Sequence, residues 1–133
     1  MKKGITFGVF DVFHLGHLNM LKNARKYCDY LTVAVHDDKL NTKGVKFLYT
    51  LEQRMEIIDS IRFVDCVVSY ERVDMTLSKT DFDIFLYGPD QCHEFFKKAF
   101  KYCDEMKRER QILERTKGIS SNLFRAIVDS KQI

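Results

Sequence analysis

Two histidines, His14 and His17, stand three residues apart around Gly16. They follow an apolar run, Ile5-Thr6-Phe7-Gly8-Val9-Phe10, and an acidic residue, Asp11. The stretch Leu18-Asn19-Met20-Leu21-Lys22-Asn23-Ala24 then places Leu18, Leu21 and Ala24 on one helical stripe. Residues three apart at the start of a helix share a face. Gly16 carries no side chain, so a ligand can come close to the backbone there. A helix N-terminus supplies unpaired N–H groups and a partial positive charge. Two imidazoles at that end suit a polyphosphate whose charge shifts during a reaction.

A second group stands near the other end: Arg115-Thr116-Lys117-Gly118-Ile119-Ser120-Ser121-Asn122. Ser120 reads as an N-cap, and Gly118 permits a tight entry turn. The N–H groups of Ser121 and Asn122 would then face an anion. Arg115 adds a guanidinium fork that matches phosphate oxygens.

Elements must hold these groups in place. Apolar runs at 5–10, 30–35, 64–68, 84–87 and 111–113 read as strands. Helical patterns lie at 16–28, 51–61, 94–106 and 120–128, with a weak one at 74–79. This alternation predicts an α/β chain: a Rossmann-like, doubly wound parallel sheet of about five strands in a single domain spanning residues 1–133. Ligands of such sheets bind beyond the C-terminal strand ends. The histidine segment follows the first strand and so falls there.

Composition narrows the classes. The 45% apolar and 31% charged content is that of a water-soluble globular chain. No stretch is apolar and long enough to span a membrane, and no targeting segment is expected before the first strand. A net charge of +3 is too small to signal nucleic-acid binding. The lysines and arginines between 97 and 110 are interleaved with Glu94, Asp104, Glu105 and Glu109, which predicts a solvated helix. Cys28, Cys66, Cys92 and Cys103 form no CxxC pair, so reduced structural thiols and a cytoplasmic location are expected. Cys92-His93 alone is a poor metal signal, and no protein-held metal is expected.

The segment from Gly8 to His17 resembles the HxGH signature of the nucleotidyltransferase superfamily, in the GTFDxxHxGH form of the small cytidylyltransferases. Residues 115–122 look like the RTxGISTT signature of the same enzymes. The likeness to the glycerol-3-phosphate cytidylyltransferases extends from Gly4 to about Ile127. It implies transfer of CMP from CTP to a small phosphorylated alcohol, foremost glycerol 3-phosphate, within cell-surface polysaccharide synthesis. It implies catalytic roles for His14, His17, Lys46 and Arg115. Val9, Phe10, Gly16, Lys43, Gly88, Asp90, Thr116, Ile119, Ser120 and Ser121 would line the nucleotide. Asp11, Arg54 and Arg62 would serve the acceptor, with Asp11 bracing the first turn or helping to place Mg²⁺, and Arg54 and Arg62 alternatively bracing a homodimer. Mg²⁺ would accompany CTP. The chain departs from that pattern at Val9, Asn122, Pro89 and Gln91, the last standing where the family has an aromatic residue. Residues 119–125 also resemble the ISSTxxR form of HxGH adenylyltransferases, so an ATP-using enzyme is the alternative. A non-catalytic nucleotide sensor is a third reading.

Overall fold

A computed structural model of the chain describes residues 1–37 and 47–114. In chain order these form β1 (Lys3–Gly8), α1 (Leu15–Arg25), β2 (Tyr30–His36), α2 (Leu51–Asp59), β3 (Cys66–Tyr70), α3 (Val73–Ser78), β4 (Ile84–Tyr87), α4 (Glu94–Glu105) and β5 (Glu109–Ile112). The five strands are all parallel and lie in the order β3-β2-β1-β4-β5. The expected doubly wound sheet is present.

Period-two alternation divides the core into two layers. Ile5 and Phe7 of β1, Ala34 of β2 and Phe85 of β4 face a cluster closed by Val73 and Leu77 of α3 and Phe96, Ala99 and Cys103 of α4. Leu31, Val33 and Val35 of β2, with Ile84 and Leu86 of β4, face the opposite cluster, closed by Leu21 and Ala24 of α1 and Ile58 of α2. Gly4 shows how closely this second layer packs. A Cβ there would lie 2.7 Å from Cys28 Sγ, so only glycine lets the chain after α1 sit down on β1.

Several boundaries differ from expectation for local reasons. β1 ends at Gly8, two residues early, because Phe10 adopts φ 53° and turns the chain out of the sheet. β3 begins two residues late, at Cys66. Residues 61–64 form a turn closed by Val64 N–H on Ile61 C=O at 3.0 Å, and Asp65 caps the Leu31 N–H with Oδ2 at 2.8 Å. β5 reads Glu-Arg-Gln-Ile and is largely exposed. As a sheet edge it needs little apolar surface, so the strand read at 111–113 starts two residues earlier, at Glu109. α4 ends in a Schellman arrangement: Arg108 N–H donates to Cys103 C=O at 2.8 Å, and Lys107 takes φ 56°. The helix expected at 120–128 lies outside the described residues.

Candidate active site

Sheet order places the switch point between β1 and β4, since the chain runs outward through β2 and β3 and then returns to the other side of β1. The crevice beyond the C-terminal ends of these two strands receives the β1–α1 segment with both histidines.

His14 is the N-cap of α1, with extended backbone at φ −141° and ψ 179°. Gly16 N–H donates to His14 Nδ1 at 3.0 Å, and His14 N–H donates to His17 Nδ1 at 3.3 Å. This is a capping box built from imidazoles in place of Ser/Thr and Glu/Gln. Accepting at Nδ1 assigns the neutral tautomer with its proton on Nε2 in each ring. The rings stack at 3.9 Å between centroids and 19° between planes. The cap therefore sets tautomer and ring orientation together. No acidic residue occupies the first turn of α1, and the positive end of a helix favours an anion.

Behind the pair, Phe10 meets His17 edge to face at 5.3 Å and Phe13 lies 5.5 Å from the same ring. The Phe10 ring rests on Gly8, where a Cβ would come within 2.7 Å of it. Gly8, Phe10 and His17 thus form a stack from strand to helix that the motif reading did not contain. Phe10 is buried, so its expected place at the nucleotide is open only to its backbone; Val9 beside it is 38% exposed.

Asp11 is buried and braces the turn. Its two carboxylate oxygens accept from Leu48 N–H at 2.9 Å and Tyr49 N–H at 3.0 Å. Those bonds join the histidine segment to the entry of α2, whose own cap is Thr50 with Gln53.

The resemblance implies that Arg54 serves the acceptor or a homodimer. Its side chain is wholly buried. Nη1 donates to Val9 C=O at 3.0 Å and His36 C=O at 2.9 Å, and Nε to Tyr49 C=O at 3.3 Å. Phe47 lies 4.9 Å from its guanidinium carbon. Arg54 gathers the ends of β1 and β2 and the entry of α2 beneath the crevice. A planar fork does this where a lysine's single point charge does not. The sequence signal available was a lone arginine on the inward stripe of α2, next to Ile58.

Arg62, given the same two roles by the resemblance, lies elsewhere. It is exposed in the turn before β3, stacked over Phe63 at 5.2 Å. In a parallel sheet that turn lies at the N-terminal strand ends, on the order of 13 Å or more from the crevice by the rise along β3. The same end holds the Arg25 ion pair with Asp65.

On the β4 side, residues 88–91 form a turn closed by Gln91 N–H on Gly88 C=O at 3.1 Å. Pro89 holds its second position, where a fixed φ helps and no N–H is needed. The N–H of Gly88, a residue expected to line the nucleotide, donates to Gln91 Oε1 at 2.9 Å. Gln91 Nε2 donates to Phe7 C=O at 2.7 Å. Asp90 is exposed on this turn. His93 starts α4 and packs edge to face on Phe96 at 4.7 Å. Among the described residues no group of three or more His, Cys, Asp and Glu could hold a metal ion.

Lys43, Lys46, Arg115, Thr116, Ile119, Ser120 and Ser121 lie outside the described residues. The Phe47–Thr50 segment clamped by Asp11 and Arg54 directly follows the two lysines in the chain.

A doubly wound sheet with paired imidazoles capping the first helix at its switch point defines a nucleotidyl-transfer class of site. The chain belongs to the cytidylyltransferase-like family, whose pattern it matches over residues 5–127. It is 37% identical to the glycerol-3-phosphate cytidylyltransferase of Staphylococcus aureus over 91% of this chain and 90% of that one. It is 36% identical to the FAD synthase of Thermococcus kodakarensis over 89% of this chain and 74% of that one. A lipopolysaccharide core biosynthesis protein from Thermoplasma volcanium shares the fold, with a TM-score of 0.73 at 24% identity over 90% of this chain and 99% of that structure.

Proposed function

We propose that this protein transfers the cytidylyl group of CTP to the phosphate of glycerol 3-phosphate, giving CDP-glycerol and pyrophosphate, as a single-domain enzyme of the cytoplasm. An acceptor phosphate oxygen attacks the α-phosphorus of CTP. A new P–O–P linkage forms as the bond to the β-phosphate oxygen breaks, and the electron pair leaves with pyrophosphate. The acceptor is already an anion, so no strong base is required. Catalysis rests on in-line placement and on stabilising charge at the α-phosphate and leaving group.

The observation that carries this reading is the imidazole capping box. It holds two imidazoles in fixed orientation, with Nε2 as the protonated nitrogen, at the N-terminus of a helix whose first turn has no acidic residue. The likeness in length and sequence to the staphylococcal enzyme supports CTP and glycerol 3-phosphate as the substrates. Lys43 and Lys46 are proposed to close over the triphosphate. Arg115, Ser120 and Ser121 are proposed to hold its β- and γ-phosphates, with Thr116 and Ile119 lining the nucleotide. Mg²⁺ is proposed to arrive bound to CTP, as hard cations commonly do on substrate phosphates. Both Asp11 oxygens already accept backbone N–H groups, which supports the brace over a metal ligand. Val9, Gly16 and Asp90 remain candidates for nucleotide contact. A homodimer is proposed through the exposed Arg62 and Phe63 turn beside edge strand β3.

The second reading, adenylyl transfer from ATP, is favoured by the FAD synthase likeness, since FAD is an adenine dinucleotide. One experiment separates them. Purified protein is given CTP or ATP with glycerol 3-phosphate, ribitol 5-phosphate, phosphoethanolamine or phosphocholine, and pyrophosphate release is measured. CTP with glycerol 3-phosphate should have the highest kcat/KM. A better acceptor overturns glycerol 3-phosphate, faster turnover with ATP overturns CTP, and nucleotide binding without release supports a sensor.

A further inference from the structure

We propose that Gln91 is a positioning residue that sets the spacing of the switch-point crevice by standing in the β1–β4 ladder as a side-chain rung. Register pairs Gly4 with Ile84, Ile5 with Phe85 and Thr6 with Leu86. The next rung of a parallel ladder would bring the Gly88 N–H to the Phe7 C=O. That rung is absent. The Gln91 carboxamide takes both groups, donating to Phe7 C=O at 2.7 Å and accepting from Gly88 N–H at 2.9 Å. The two strands are paired through Leu86 and then joined by a side chain at the point where the crevice opens. One strand end leads to the histidine pair, and the other leads to the turn carrying Asp90.

Gln91 reaches this position because the Gly88–Gln91 turn brings its side chain back over β4. Pro89 stiffens that turn. The Pro89 and Gln91 departures noted in the sequence are thus one device. A carboxamide alone among the side chains of this length offers a neutral donor and acceptor together, as the vacant rung demands. With both ends engaged, the two loops that flank a bound nucleotide are held at a fixed separation.

The assignment rests on nucleotide entering this crevice, and Gln91→Ala tests it. Without the carboxamide, Gly88 N–H is released to bond Phe7 C=O and the crevice narrows. The dissociation constant for CTP, from calorimetric titration without acceptor, should rise about tenfold, with kcat within about threefold of wild type, the pattern of lost binding geometry. The thermal midpoint should stay within about 2 °C, because one hydrogen bond replaces two of modest net worth. Gln91→Glu supplies the conservative control. It keeps the acceptor for Gly88 N–H but sets a carboxylate against Phe7 C=O. Its affinity relative to wild type should fall at pH 8 and recover as the carboxyl gains a proton near pH 5 and becomes a donor again. Unchanged affinity in both variants overturns the proposal. So does a joint loss of affinity, kcat and melting temperature, which marks a general structural role. Both titrations are repeated with ATP. Wild type that prefers ATP refutes the substrate assignment while the Gln91 comparison is read on ATP; wild type that binds neither nucleotide overturns both.

Discussion

His14 and His17 cap α1 through their Nδ1 atoms, and the same bonds assign the tautomer that carries the proton on Nε2, the atom proposed to act as donor. Capping and chemistry are separable by His14→Asn. Asparagine is a good N-cap, so stability should change by less than about 0.5 kcal/mol in urea unfolding. Turnover should still fall by about 10²-fold or more, as when a donor to a developing oxyanion is removed. A variant that turns over near the wild-type rate refutes the donor role. The cysteines sort by the same logic of local surroundings. Burial raises the Cys103 thiol to about 11 and pushes Cys28 upward too, whereas Cys92 is exposed. The thiolate is the reactive form, so a raised pKa keeps Cys28 and Cys103 protonated at neutral pH. An aromatic disulfide reagent at pH 7.5 should label Cys92 first, with Cys28 and Cys103 reacting only on unfolding. Rapid labelling of Cys103 in the native protein would contradict the packing described for α4.

At the level of elements, the crevice is assembled by pairs of opposite chemistry. Asp11 accepts from two N–H groups of the α2 entry, and Arg54 donates to carbonyls of β1, β2 and that same entry. Backbone groups that leave regular structure at the strand ends must find partners when buried. These two side chains supply them from opposite directions. Arg54→Lys should cost about 2 kcal/mol in urea unfolding, because an ammonium reaches fewer of the three carbonyls and leaves the others buried. A loss under about 0.5 kcal/mol would show that the clamp does not contribute. On the opposite helix layer, the exposed lysines of α4 pair with acids one turn away, Lys98 with Glu94 and Lys101 with Glu105. These pairs bear out the solvated face read from the mixed charges.

For the whole molecule, both sheet edges are open among the described residues. β5 carries charged side chains along its edge, a usual guard against pairing. β3 reads Cys-Val-Val-Ser-Tyr and follows the turn where Arg62 covers Phe63. The apolar edge is the one expected to meet a second copy. Light scattering at micromolar concentration should give a mass near twice 15.7 kDa. Phe63→Glu should shift that mass toward the monomer, as loss of an apolar anchor does. A monomeric wild type refutes the homodimer. No helix among the described residues is long and apolar enough to cross a membrane.

Strand and helix order was legible along the chain because period-two and period-3.6 apolar patterns are local. So was the histidine motif, since its parts lie within ten residues and their function depends on a strand-to-helix turn that the same residues encode. The strand order 3-2-1-4-5 was legible only as a class, and from it came the location of the crevice. Tertiary structure decided the rest. Arg54 and Arg62 are alike in type, and the linear pattern gave both the same duty. Parallel pairing sends one beneath the C-terminal strand ends and the other to the N-terminal strand ends. Gln91 read as the loss of an aromatic until β1 and β4 lay side by side, for its partners Phe7 and Gly88 include one 84 residues away. Hydrogen bonds between segments distant in sequence leave no periodic trace. The chain alone therefore determined which elements form and where the histidine motif falls, while three-dimensional pairing decided which polar side chains are taken up in holding the backbone around the crevice.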